Sequence, residues 1–366
     1  MRILCMNYEY PPIGGGGGAV CRGLAENLVR LGNEVDVVTS GMGDLPGHEV
    51  IGGVRVHRVS CYRRHRHYVS TPEMVTQVLP AYRHARRLAR RSPYAINHTH
   101  FILPSGLSSY LLWRAIGLPY VVTIHGSDVP GYNPDRFRLE HALIRPLWRR
   151  IVGAASCVVS ASCYLADLVR QYVNAEIEIV PHSINLPKPP DTPKQNRILV
   201  VTRMFERKGV QFLIRALENF STDWEICVAG DGPYLDTLQV LARQLNVPVR
   251  FLGWVKGSAL TELYQSARVF VFPSMQENSP VVLLEAMNAG CAVVTTTAAG
   301  CAEMVQGAAI TVTPGSVAEL RTALQRLLAD DKDIVRLSRL GQERVAELSP
   351  SNVARTHEDI FARYAQ

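Results

Sequence analysis

Residues 269–305 read VFVFPSMQENSPVVLLEAMNAGCAVVTTTAAGCAEMV, and this stretch decides the fold. Positions 269–272 form a short unbroken apolar run, as in a strand buried on both faces of a sheet. Ser279 followed by Pro280 predicts an N-cap and a first helical position, with a helix over 281–288 that Gly290 closes. A second apolar run, 291–294, follows and ends in the polar segment 295–300. Strand, loop, helix, strand is the repeating unit of a parallel sheet. The backbone N–H groups at 279–282 make an anion site at the helix start, where a phosphate would rest.

Glu277 lies in the loop and Glu285 about one turn inside the helix, so each is able to accept hydrogen bonds beside that phosphate. Such a layout suits a nucleotide sugar. Either glutamate alone would be commonplace, since a helix start favours carboxylates anyway. The longer pattern discriminates. Glu277, Glu285, Ala286-Met287, Gly290, the Val293-Val294 strand, Gly300 and Glu303 together resemble the signature of family 4 glycosyltransferases. That resemblance implies an α/β chain with the GT-B fold, two Rossmann-like domains facing across a cleft. It also implies that Glu285 binds the ribose hydroxyls of the donor, that Glu277 touches the donor sugar, and that Asn278, Ser279, Pro280 and Val281 surround the donor phosphates.

With 366 residues, 47% hydrophobic and 19% charged, the chain has ample core for two soluble domains. The start, MRILCMNYEYPP, reads as a strand rather than a signal peptide. No uncharged apolar run approaches the ~20 residues of a membrane-spanning helix. Eight cysteines without a C-x-x-C pair suit buried thiols in a reducing cytosol. A cytoplasmic location, peripheral to the inner membrane face, is the expectation. Residues 1–186 hold 20 Arg and no Lys against 13 acidic residues, which accounts for the whole formal charge of +7. The excess clusters in Arg63, Arg64 and Arg66, with His65 and His67 among them, and in Arg83, Arg86, Arg87, Arg90 and Arg91. Such a face suits an acidic membrane or an anionic acceptor, or is simply well solvated. Nucleic acid is not expected, because no recognition motif accompanies the charge.

Residues 2–7 predict the first strand, followed by a glycine-rich loop, a helix over 19–31 and a strand over 34–39. Gly14, Gly16 and Ala19 formally satisfy a dinucleotide fingerprint, but the second strand ends in Thr39-Ser40-Gly41 instead of the acid that fingerprint needs. In the family resemblance, Gly15 and Gly16 match the glycine pair that faces the donor phosphate. A helix over 74–91 is predicted with Val75, Val78, Leu79, Tyr82 and Leu88 on its apolar side. Residues 95–100 and 120–124 predict core strands flanking a helix over 105–116. The second of them ends in His125-Gly126-Ser127-Asp128, at the strand end where ligands of open α/β sheets gather. The histidine-glycine pair resembles the family's active-site histidine, which marks His125 and, beside it, Asp128. His98 and His100 also end a strand and are read as structural or acceptor-side. A helix over 137–154, a strand over 157–160, a helix over 162–172 and a strand over 177–180 follow. Residues 181–185, PHSIN, depart from the family's usual Asn-Gly-Val-Asp.

Residues 186–196, LPKPPDTPKQN, are stiff and proline-rich and form the expected boundary between domains 1–186 and 187–350. A final helix over 353–365 is expected to return to the first domain, with hinges at 186–196 and 349–351. The second domain opens with a strand over 197–201. Arg203 and Lys208 then bracket a strand-to-helix turn and are able to aim two cations at one anion. Their spacing matches the family's diphosphate-binding pair. Gly230 closes the next strand in a tight turn, and by resemblance the backbone at Phe251 and Leu252 meets the nucleotide base. Asp331-Lys332-Asp333 reads as a solvated polar turn between two helices, so no metal and no cofactor is expected. The implied reaction moves a sugar from a nucleotide-diphosphate donor to a glycan or lipid-linked acceptor, with retention. Two alternatives are a nicotinamide-dependent oxidoreductase using the loop 14–18 and a non-enzymatic carbohydrate-binding protein.

Overall fold

A computed structural model describes residues 1–66, 69–132, 138–183 and 192–365. Outside the described residues lie His67, the expected helix start at Phe137, Ile184 and Asn185, and the part of the proline-rich boundary from 186 to 191. The chain divides into two compact units, Met1–Asn185 with Ser349–Gln366, and Leu186–Leu348.

The first unit alternates strands and helices: β1 Arg2–Met6, α1 Gly16–Arg30, β2 Glu34–Ser40, β3 His48–Ile51 and β4 Val54–Val59. It continues with α2 Thr71–Arg91, β5 Ile96–His100, a π-turn at Ile102–Gly106, α3 Leu107–Ile116 and β6 Tyr120–Ile124. α4 Arg138–Gly153, β7 Cys157–Ser160, α5 Cys163–Arg170 and β8 Ile177–Ile179 follow. The sheet order is β3-β4-β2-β1-β5-β6-β7-β8, parallel except for the antiparallel β3 on the edge.

The second unit contains β9 Gln195–Val201, a 3₁₀ turn at Glu206–Lys208, α6 Val210–Ala216, β10 Glu225–Ala229, α7 Leu235–Gln244 and β11 Val249–Gly253. Next come α8 Ser258–Ser266, β12 Ala267–Phe272, α9 Val281–Asn288, β13 Ala292–Thr296 and α10 Ala299–Val305. β14 Ile310–Val312, α11 Val317–Ala329 and α12 Asp331–Glu347 complete it. Its sheet is β11-β10-β9-β12-β13-β14, all parallel. The last helix, α13 Pro350–Tyr364, packs on α1 in the first unit.

Both sheets are buried on two faces. Along β12, Val269 and Val271 join one core while Phe270 and Phe272 join the other. Chain order along each sheet runs outward in both directions from the middle, so β1 and β5 flank one reversal and β9 and β12 the other. The crevice outside the carboxyl ends of such strands is the natural ligand position.

Several expectations need correcting. Pro280, not Ser279, is the N-cap of α9, and Pro280 makes no side-chain cap. α1 begins inside the glycine run, with Gly15 as its N-cap. Lys194 donates to the carbonyls of Ala267 and Ala289, and β9 already starts at Gln195, so the end of the proline-rich segment is anchored. Asp331 and Asp333 stand in the first turn of α12, where Asp330 caps the helix and Asp333 pairs with Arg326 and Arg336. α2 buries Gln77, Ala81 and Ala85 against its neighbours, and leaves Val75 65% and Leu79 46% exposed. Of the apolar stripe read from the sequence, Tyr82 and Leu88 pack half-buried on the core beside Ala81 and Ala85, while Val75 and Leu79 face outward.

The covering of β5 is histidine-rich. His98 and His100 are buried, and the His98 ring lies 5.0 Å from Phe361 and 5.7 Å from His357 on α13. Burial holds His98 and His100 well below the ordinary imidazole range and pushes His357 down to about 4. Such groups take up protons on unfolding but not in the fold. Their stability contribution is therefore present above the unfolded value near ~6.5 and drains as pH falls toward the folded values. The unfolding free energy is expected to fall between pH 6.5 and 4, by about 1.4 kcal/mol for each unit of depression per histidine, and the melting temperature with it. His357→Gln should flatten that slope in calorimetry; an unchanged slope would contradict the assignment.

Candidate functional site

In the second unit the reversal of strand order brings two loops together. The loop after β9 carries Arg203 and Lys208, and the loop after β12 carries Ser274 and Glu277. Gly209, at φ +74°, lets the first loop close on the second: a Cβ there would collide with the Pro273 carbonyl oxygen. Met275 N donates to the Arg207 carbonyl at 2.8 Å, and Ser274 Oγ donates to Glu277 Oε1 at 2.7 Å. Lys208 Nζ donates to the same Oε1 and sits 5.5 Å from the centre of the Phe272 ring. Both partners are buried. Burial pushes the Lys208 ammonium below its usual range, and Glu277 opposes that shift. The pairing makes the two predicted site residues one neutral unit.

Arg203 is exposed beside this pair in sequence, with its guanidinium 5.5 Å from the Phe205 ring centre. Beyond Glu277, Asn278 and Pro280 are buried, and Ser279 and Val281 half-buried, at the start of α9. Glu285 is half-buried on α9, and its Oε2 accepts from Tyr264 Oη at 2.7 Å. Burial raises the Glu285 carboxyl, and the tyrosine hydrogen bond acts the other way. Gly230 follows β10 and donates to the Gly253 carbonyl at 2.7 Å. Phe251 and Leu252 are half-buried in β11, which runs one residue further than expected, to Gly253.

In the first unit, the reversal between β1 and β5 sets the glycine loop against β5 and β6. Gly15 N donates to Glu9 Oε2 at 3.0 Å, and Gly16 is the first residue of α1. Phe101 holds φ +67°, an uncommon conformation for a bulky residue, and its ring lies 4.2 Å from that of His125. His125 is half-buried after β6, and its Nε2 is 3.0 Å from His100 Nδ1. Burial, then His182 and His98, hold it well below the ordinary imidazole range, so it is neutral near pH 7.

Asp128, expected beside the substrate, has backbone partners in the structure. It is buried, Oδ1 accepts from His125 N at 3.0 Å, and Oδ2 accepts from Ile102 N at 2.9 Å. Its carboxylate shapes the loop around His125. Arg63 differs from the expectation of an exposed cation. It is buried and donates to the carbonyls of Tyr8, His65 and Arg66.

Cys5, His98 and His100 could each offer one metal ligand, with these atoms within 4.8 Å of one another. The Cys5 thiol is held well above its ordinary value by its hydrogen bond to Cys21 and by burial, which opposes the thiolate a metal needs. Sequence reasoning missed Ser274, Tyr264 and the pairing of His100 with His125. Only the alternation His98-Thr99-His100 offered a signal for the last.

The fold and this site define a GT-B glycosyltransferase. Residues 195–330 match the family model described as glycosyl transferases group 1, and residues 15–182 match a glycosyl transferase 4-like domain. An uncharacterized glycosyltransferase of Methanocaldococcus jannaschii is 31% identical over 361 residues, covering 90% of each chain. The N-acetyl-alpha-D-glucosaminyl L-malate synthase of Bacillus anthracis is 24% identical, covering 81% of this chain and 79% of that protein. Among solved structures, sucrose-phosphate synthase from Thermosynechococcus elongatus superposes with a TM-score of 0.77 at 22% identity, covering 99% and 98% of the two chains. Anabaena HepE, solved with UDP and glucose, gives 0.73 at 15% identity, covering 99% and 100%. The chain belongs to the group 1 glycosyl transferases.

Removing one member of the buried Lys208–Glu277 pair leaves an uncompensated charge. Lys208→Met and Glu277→Gln are each expected to cost on the order of 3 kcal/mol in urea unfolding. The double variant should lose clearly less than the sum of the two. Strict additivity would mean that the two groups do not act as a pair.

Proposed function

We propose that this glycosyltransferase takes its sugar from a nucleoside-diphosphate donor held by the second unit and delivers it to an acceptor hydroxyl with retention of configuration. The observation that carries the reading is the buried pairing of Lys208 with Glu277, which joins the loops at the carboxyl ends of β9 and β12 next to the start of α9, with Arg203 in the first of these loops. As the glycosidic bond breaks, the sugar becomes oxocarbenium-like and the departing diphosphate gains negative charge. Arg203, Lys208 and the backbone donors at 279–281 stabilise that charge from fixed positions. Glu277, its Oε1 taken by Lys208 and Ser274, turns its other oxygen to the donor sugar. Glu285, oriented by Tyr264, accepts from the ribose hydroxyls. Gly230, Phe251 and Leu252 border the base. His125 and the glycine loop with Gly15 and Gly16 meet the sugar or the acceptor. Same-face attack assisted by the leaving phosphate accounts for retention without a covalent intermediate, and no metal is required.

Thermal-shift screening of UDP, GDP and ADP should single out one base. With the matching nucleotide sugar, Lys208→Ala and Glu285→Gln are expected to lower kcat/KM by about 10²-fold or more. Unchanged turnover in both would overturn this assignment.

The acceptor reading is a glycan or lipid-linked molecule in cell-surface polysaccharide or glycolipid synthesis, met by a cytoplasmic enzyme at the inner membrane face. No helix among the described residues is long and apolar enough to cross a membrane. The support lies in α2, where Arg83, Arg87, Arg90 and Arg91 are exposed and where Val75 and Leu79 also face outward. Tyr62, 54% exposed, and Arg64, stacked on it at 5.3 Å, extend the chemistry of that face. Sedimentation with acidic liposomes should show salt-sensitive binding that is weakened by Arg87→Glu with Arg90→Glu. Equal binding to neutral vesicles would remove the membrane reading.

A further inference from the structure

We infer that His100 is a positioning residue that fixes the tautomer of His125, so that His125 presents Nδ1–H, a hydrogen-bond donor, to a ligand oxygen beside the glycine loop. The inference rests on the proposal that His125 lies in the donor or acceptor site, and adds the direction of its proton.

His100 is fully buried at the end of β5, and its Nε2 has no hydrogen-bond partner. Its Nδ1 meets His125 Nε2 at 3.0 Å, with the two rings 25° from coplanar. A neutral imidazole carries one N–H and one lone pair, so the shared contact needs a donor on one side and an acceptor on the other. Two arrangements satisfy it. In the first, His125 donates from Nε2, and His100 must then keep its own proton on the orphaned Nε2, as an N–H buried without an acceptor. In the second, His100 donates from Nδ1, and only a lone pair is left at its Nε2. A buried orphan N–H is the rarer fault, and an under-satisfied acceptor is better tolerated. The second arrangement therefore prevails.

Its consequence reaches the site. With Nε2 of His125 accepting, the proton of His125 must be on Nδ1. That atom faces the glycine loop: a Cβ added to Gly17 would stand 3.6 Å from it, and would also strike the Phe101 ring. The ring is held in place by Phe101 at 4.2 Å and His182 at 5.2 Å, while Asp128 fixes its backbone through the 3.0 Å bond to His125 N. His125 is thus set to donate to a hydroxyl or phosphate oxygen. It is not set to remove a proton through Nδ1.

Long-range proton–nitrogen correlation spectra of protein labelled with ¹⁵N-histidine read the tautomer directly, with His125→Gln and His100→Asn used for assignment. At pH 7 both His100 and His125 are expected to show a protonated Nδ1 and an unprotonated Nε2. A protonated Nε2 on His125 would overturn the inference, whatever the activity. In kinetics, His100→Asp supplies only an acceptor and should lower kcat by roughly tenfold, the worth of one hydrogen bond. His100→Asn, with an amide N–H where Nδ1 stood, should recover most of that loss. Equal losses for the two similar-sized variants, at equal melting temperature, would reduce His100 to packing. Full turnover in His125→Ala would instead remove the site assignment of His125, leaving the tautomer result to stand by itself.

Discussion

An ammonium and a carboxylate that would each be costly to bury alone are buried together at Lys208 and Glu277. Their contact ties the loop after β9 to the loop after β12, at the place where strand order reverses in the second sheet. Desolvation depresses the lysine, and the neighbouring glutamate opposes part of that shift. Ser274 adds a hydrogen bond to the same carboxylate oxygen. The rest of the proposed donor site follows from this tie, since it sets Glu277 beside the start of α9 and so fixes the spacing to Glu285.

The first unit solves a different problem. Its reversal, between β1 and β5, is lined with imidazoles instead of an ion pair. His98, His100 and His357 are kept neutral by burial, and the ends of β5 and β6 join through His100 and His125. A neutral relay carries no charge penalty, but it does carry direction, because each ring has one donor and one acceptor. Asp128 and Phe101 hold the backbone around it, the first with two N–H bonds to its carboxylate and the second in a positive-φ conformation.

The alternating sheet-and-helix fold was legible wherever burial was symmetrical. The run at 269–272 reads as a strand because both of its faces are apolar, and they do enter two separate cores. Helix ends were less legible. Ser279 looks like a cap, yet Pro280 takes that place, and α1 starts among glycines that no propensity scale would favour. On α2 the apolar stripe was right in part: Tyr82 and Leu88 pack on the core beside Ala81 and Ala85, while Val75 and Leu79 are left outside.

From the sequence alone came the element types, the two-part organisation and the chemical inventory of the site: arginine, lysine, two glutamates, a histidine after a strand and a glycine loop. These follow from local periodicity and from motifs that act over a few residues. What touches what required the tertiary structure. Lys208 and Glu277 lie 69 positions apart, and His100 and His125 lie 25 apart, and no local pattern encodes such a contact. Arg63 and Arg64 are adjacent and chemically identical, yet one is buried on three carbonyls and the other is exposed. Burial and partner choice are properties of the packed chain, because desolvation depends on what the whole fold brings near and not on a residue's neighbours in sequence.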